Sequence, residues 1–145
     1  MQISLVSVYR VDSASVLYQM LRERLEDRRL NISHANLPSR SRHIHFMRTR
    51  PYRAWYLIKA NSSVVGQIWL NRQNEIGLTI LKKERHKGYE RPAIMALISR
   101  HRPLPPIPSK RSGSFLANVN PNNRAVVGAL RNLGAKVIQH TYKLP

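Results

Sequence analysis

The stretch "EIGLTILKKERHKGYERPAIMALI", Glu75 to Ile98, joins a short apolar run to an amphipathic one through a single glycine. Ile76 to Leu81 has the length and composition of a strand. Pro92 to Ile98 reads as a helix: Pro92 stands near the first helical position, where its missing N–H is not needed, and Ile94, Leu97 and Ile98 share a face. Between them Gly88 is flanked by Arg85, His86, Lys87 and Arg91 and by the carboxylates of Glu84 and Glu90. A glycine at a strand-to-helix turn lets successive N–H groups and the positive end of the helix converge on an anion, so the loop is expected to hold phosphate.

On the N-terminal side, "ISLVSVY" alternates as a first strand, and Asp12 or Ser13 can cap the helix that follows. Between Val16 and Leu30 the residues Leu17, Met20, Leu21 and Leu25 recur at helical spacing, a core-facing stripe. "NISHANLPSR" reads as a loop and "RSRHIHFMRTR" as a short basic helix, on which His43 and His45 diverge, so no metal site is expected. "AWYLIKA", "VVGQIWL" and "EIGLTIL", separated by "NSS" and "NRQN", predict three consecutive antiparallel strands. Toward the C-terminus come the proline-rich basic loop "RPLPPIPSKRSGS", a strand "FLANV", a helix in "NPNNRAVVGALRNLG" with asparagine capping and a glycine stop, and a last strand "AKVIQHTYKL". The order predicts an α+β chain with a mixed sheet rather than a dinucleotide-binding pattern.

At 145 residues with 42% hydrophobic composition, the chain suits one domain spanning 1–145. The absence of cysteine excludes disulfides, thiolate zinc sites and a cysteine nucleophile, and fits a reducing compartment. "MQISLVSVYR" lacks the basic flank of a signal peptide and no run approaches a membrane span, so a soluble, cytoplasmic protein with no membrane partner is expected. Lysine and arginine total 25 against 7 acids, a net charge of +18, and no acid occurs between Arg28 and Asn74 or after Glu90. Such a field draws polyanions: nucleic acid or a phosphorylated substrate is the expected partner, against the plainer alternative of a solvated basic surface.

Over nearly its whole length the chain resembles the GNAT superfamily of acyl-CoA-dependent N-acyltransferases. The resemblance rests on "EIGLTILKKERHKGYERPAIMALI", which looks like that family's pyrophosphate-loop segment, and on "LANVNPNNRAVVGALRNLGAKVIQHTY", which looks like its following strand, helix and strand. In the family loop, Gln/Arg-x-x-Gly-x-Gly/Ala, Arg85 and Gly88 occupy the first two fixed places and Glu90 stands at the third. The fold so implied is a three-layer α+β arrangement, a mixed and mostly antiparallel central sheet flanked by helices.

The resemblance further implies acetyl-CoA or another acyl-CoA as the donor, transferred directly to a primary amine in a ternary complex. Its pyrophosphate would be held by Arg85, His86, Lys87, Gly88 and Tyr89. The pantetheine arm would lie along Leu78, Thr79, Ile80 and Leu81, where that strand splays from Phe115–Val119, with Asn123 contacting the cofactor. Glu75 is in the place of a general base, with a charge-balancing carboxylate at a hairpin end as the equal alternative. Leu130 stands where the family often has a tyrosine acid, which leaves Tyr142, Tyr89 or water for that role; Ala135 stands where it often has phenylalanine. His34 and His43 fall in the acceptor-side region, and Trp55, Tyr56 and Trp69 are either base-stacking or core aromatics. The basic regions suggest an acceptor carrying phosphate, either a nucleotide-linked amine or a base in DNA or RNA. The alternative is a catalytically degenerate nucleic-acid-binding module, and assembly as a homodimer through the proline-rich loop and last strand is left open.

Overall fold

The computed structural model describes residues 2–27, 29 and 36–145. The elements run β1 (Ile3–Ser7), α1 (Ala14–Glu26), α2 (Arg40–Arg48), β2 (Ala54–Ala60), β3 (Ser63–Leu70), β4 (Ile76–Ile80), a single 3-10 turn (Lys82–Glu84), α3 (Glu90–Arg100) and α4 (Arg124–Asn132). The four strands form one sheet in sequence order, every neighbouring pair antiparallel. Asn61 and Ser62, both with positive φ, close the β2–β3 hairpin, as a tight turn matched to strand twist requires. The β3–β4 turn is built by Asn71, whose Oδ1 accepts from the N–H groups of Gln73 and Glu75, both at 2.9 Å.

Alternation along the strands divides the side chains between two helical layers. Ile58, Ile68, Leu70 and Ile80 pack with Ala93, Ile94 and Leu97 of α3. Trp55 and Leu57 pack on the other face with Leu17 and Met20 of α1 and Met47 of α2. This is the expected three-layer α+β arrangement, with the apolar stripe of α1 in the core.

Local differences from the sequence reading have physical causes. Helix α1 stops at Glu26, short of Leu30, because the Asp27 carboxylate accepts from the N–H of Arg29 at 3.0 Å, a local bond that competes with helix propagation. Ser13 is the N-cap of α1, but its hydroxyl donates to the carbonyl of Val8 at 2.7 Å instead of capping the helix. Ser39 does cap α2, accepting from Arg42 N–H at 3.3 Å. The two C-terminal strands expected from alternation do not form as strands. Phe115–Val119 contributes one parallel bridge, between Leu116 and Glu75, and residues 135–145 pair with no strand. The parallel part of the sheet is therefore reduced to that bridge, because Leu116 alone of its segment reaches the backbone of the β4 end.

Candidate active site at the splayed edge of β4

Leu116 donates its N–H to Asn74 O at 2.9 Å and accepts from Ile76 N–H at 2.8 Å. Since Ile76 N–H points outward from the sheet, strand alternation turns the peptide groups of Leu78 and Ile80 outward too. Asn71 N–H to Glu75 O and Leu81 N–H to Val65 O confirm the opposite, inward phase for the odd-numbered residues. Past the single bridge no described strand covers this outer edge, so the outward peptide group of Leu78 has no strand partner there. The Thr79 side chain is buried and its hydroxyl has no hydrogen-bond partner among the described residues. At Gly77 an added Cβ would stand 2.3 Å from the Trp69 ring, so the absence of a side chain lets that indole lie directly on the strand.

β4 leads through the turn Lys82–Glu84 into the loop before α3. His86 (φ 65) and Gly88 (φ 77) both turn the backbone through the left-handed region. Among the described residues, nothing accepts a hydrogen bond from the N–H groups of His86, Lys87, Gly88, Tyr89, Glu90 or Arg91; the first loop-to-helix bond is Ala93 N–H to Tyr89 O at 3.1 Å. Pro92 contributes no donor. The Gly88 position opens onto free space, with nothing within 4 Å of an added Cβ. Six consecutive unsatisfied donors at the positive end of an 11-residue helix form a turn shaped for anionic oxygens.

The charged side chains are placed unevenly. Arg85 is folded back: its Nε donates to Ile80 O at 3.3 Å and a terminal nitrogen lies 3.6 Å from Asp27, so it ties the loop to β4 and α1. A hydrogen bond from Arg29 and the nearby Arg85 hold the Asp27 carboxyl below its usual range. Lys87 pairs with Glu84 at 2.9 Å, which neutralises that acid and raises the lysine pKa. Glu90, the first residue of α3, is only 7% exposed and makes no hydrogen bond or ion pair with a described residue. Asn123 caps α4, its Oδ1 accepting from Val126 N–H at 3.4 Å, which leaves its amide nitrogen available.

Glu75 stands just before β4 at the Leu116 bridge, half-buried, with one carboxylate oxygen accepting from Asn71 Nδ2 at 2.8 Å and the other from Asn118 Nδ2. Sequence reading reached Glu75 but missed the two asparagines. The i,i+4 spacing of Asn71 and Glu75 is visible in "NRQNE", whereas Asn118 arrives only through the Leu116 bridge. The structure does not bring Tyr142 to this carboxylate: it is 81% exposed in the terminal segment, its ring beside His140. Leu130 packs against the α3-side core. His34 lies outside the described residues. His43 is buried in α2 with its ring between Tyr18 and Phe46, while His45 is exposed. Trp55 belongs to the core, its indole N–H donating to Gln67 at 2.9 Å, and Tyr56 hydrogen-bonds His101 at 2.7 Å. Trp69 stacks on Tyr52 at 5.6 Å with Arg24 over its ring at 5.8 Å. Burial pushes the Arg24 pKa down and the Tyr52 pKa up.

No group of three or more metal-ligating side chains occurs among the described residues, and no helix there is long and apolar enough to cross a membrane. No protein-family model matches the sequence, and no curated protein matches it. Solved structures do. The microcin C7 self-immunity acetyltransferase MccE, in complex with acetyl-CoA and AMP, aligns with a TM-score of 0.65 at 16% identity, over 92% of this chain and 78% of that one. A transcriptional regulator from Bacillus halodurans C-125 aligns with a TM-score of 0.65 at 12% identity over 99% of both chains. The spermidine/spermine N-acetyltransferase SpeG from Vibrio cholerae aligns with a TM-score of 0.51 at 16% identity; the match covers 67% of this chain and 61% of SpeG. These alignments place the four-strand antiparallel meander and its two helical layers in a shared architecture: the chain has the fold of the GNAT N-acetyltransferases.

Proposed function

We propose that the protein is an N-acyltransferase that takes an acyl group, acetyl in the simplest case, from acyl-CoA to a primary amine. The observation that carries this reading is the run of six open N–H groups from His86 to Arg91 around Gly88, continuous with the uncovered edge of β4. Those donors suit a pyrophosphate, and the outward peptide group of Leu78 suits a pantetheine amide or the thioester carbonyl, which it would polarise. In a ternary complex Glu75 would accept the proton released by the amine as the C–N bond forms and the C–S bond breaks. The departing thiolate would take its proton from solvent, or from Tyr142 if the terminal segment closes. The exposed Arg40, Arg42, Arg48 and Arg50 on and beside α2 favour an acceptor that carries phosphate, such as a nucleotide-linked amine or a nucleic-acid base. Acetyl-CoA and AMP in the MccE complex support both halves of the reading.

A second reading is favoured by Glu90. A buried carboxylate within the amide turn opposes a bound phosphate, which points to a nucleic-acid-binding module that has lost transfer chemistry. Calorimetric titration of nucleic-acid-free protein with acetyl-CoA, with ATP as a control for indiscriminate phosphate binding, separates the two. Saturable binding of acetyl-CoA and not ATP is expected. Gly88→Val should abolish it while the fold survives, because the left-handed φ adds strain of only about 1–2 kcal/mol and the side chain projects into open space. Equal affinity in Gly88→Val would overturn the loop assignment, and absence of binding in the unsubstituted protein would favour the binding module.

A further inference from the structure

The amide turn before α3 contains one group that its own chain leaves unbalanced. Glu90 opens α3 and stands with Ala93, Ile94 and Leu97 at the spacing of a single helical stripe, all four buried. A side chain at the first helical position leans back toward the helix N-terminus, so this carboxylate is directed over the turn that carries the open N–H groups of His86 to Arg91. The neighbouring cations are committed or directed elsewhere. Lys87 pairs with Glu84 at 2.9 Å, Arg85 lies 3.6 Å from Asp27 and donates to Ile80 O, and Arg91 is exposed. Among the described residues nothing donates a hydrogen bond to Glu90 and no cation pairs with it.

A buried carboxylate is costly unless something pairs with it. The turn therefore makes two opposed demands: six amide donors call for anionic oxygens, and the carboxylate among them repels the same oxygens. A hard divalent cation meets both demands at once. Magnesium is held by one or two carboxylates together with phosphate oxygens and several waters, not by an all-protein cage. One carboxylate beside a seat for phosphates is what this turn supplies. We propose that the turn takes its diphosphate as a magnesium complex, with Glu90 the one protein ligand of an ion that bridges it to the phosphate oxygens. The inference rests on the acyl-CoA reading, whose pyrophosphate provides those oxygens. It also turns Glu90 from an obstacle to phosphate into a group that selects the metal-bound form. A single carboxylate is too few ligands to retain the ion alone, so ion and diphosphate bind together, each raising the affinity of the other by the same factor.

Calorimetric titration of the full chain, freed of nucleic acid, with acetyl-CoA in millimolar magnesium chloride and again in EDTA tests it, the ionic strength being matched so that general screening is the same in both. Acetyl-CoA should bind about tenfold more tightly with magnesium. Manganese, as a paramagnetic stand-in, should be immobilised on the protein when acetyl-CoA is present and not when it is absent. Glu90→Gln is neutral and nearly the same shape, and it forfeits no described contact, so the variant should stay folded. It should bind acetyl-CoA in EDTA more tightly than the unsubstituted protein does, and magnesium should no longer change its affinity. A magnesium dependence that persists in Glu90→Gln would place the ion on the cofactor alone and overturn the inference. Equal affinity of the unsubstituted protein in magnesium and in EDTA overturns it too, while leaving the acyl-CoA reading in place. No binding of acetyl-CoA by either protein under either condition ends both.

Discussion

β3 (Ser63–Leu70) and the terminal segment Lys136–Leu144 are both runs of about one strand length rich in β-branched and aromatic residues, yet β3 is bonded on both flanks and buries Val65, Ile68 and Leu70, whereas the terminal segment is bonded on neither and leaves Val137 and Tyr142 in solvent. Pattern alone therefore does not make a strand; a partner within reach does. β3 finds its partners one hairpin away in either direction, through Asn61–Ser62 and the Asn71 turn, so its pairing is local and cooperative. The terminal segment leaves α4 through the turn at Gly134 and meets no edge of its own chain.

The largest expected contrast follows from that difference in burial. Ile68→Ala removes a fully buried side chain between two strands and α3 and should cost about 2–5 kcal/mol. Val137→Ala should stay within about 0.5 kcal/mol. Urea denaturation of both variants measures this directly. A comparable loss at Val137 would mean that the terminal segment packs on its own body in solution.

The same distinction explains what could be read from the residues. The meander, the apolar stripes of α1 and α3 and the asparagine cap of α4 were legible because each depends on neighbours within a few positions, whereas the cap of α2 by Ser39 was not read. The turn at Gly88 was legible for the same reason, a glycine between an apolar run and a proline-led helix. What stayed hidden depends on tertiary contacts: the withdrawal of Arg85 toward Asp27, the burial of Glu90, the Asn118 amide on Glu75, and the failure of Phe115–Val119 to pair beyond Leu116. His43 illustrates the limit well, since a histidine on a basic helix carries no sequence sign that it will be buried between Tyr18 and Phe46.

Glu75 lies where the two regions touch, on the turn of the well-paired half and bonded by Asn118 from the poorly paired one. If it is the base, Glu75→Gln should slow acyl transfer about 100-fold while acetyl-CoA affinity changes less than twofold, because a base acts in the chemical step. Single-turnover kinetics beside a calorimetric titration separates the two quantities. Equal rates would leave Glu75 as the carboxylate that joins a hairpin to a loosely held segment, and nothing more.

A smaller effect is expected at the far end of α3, where the buried half of the molecule has a titratable contact that the terminal segment lacks. His101 caps α3 and its Nε2 lies 2.7 Å from the Tyr56 hydroxyl on β2. Burial, and then the neighbouring Arg53 and Arg100, push its pKa below the ordinary 6.5. The neutral ring is thus favoured in the folded state, where it shares a hydrogen bond with the tyrosine hydroxyl. In the unfolded chain the same ring binds a proton more readily, so the contribution is fully present above pH 6.5 and is lost as pH falls through the lower folded value. The thermal midpoint should therefore decline by a few degrees on acidification across that window, and His101→Gln should flatten the decline while lowering the midpoint near neutrality. An unchanged slope in His101→Gln would assign the acid response to groups such as Asp27, whose depressed pKa also makes stability fall with pH, but at the lower pH where carboxylates protonate.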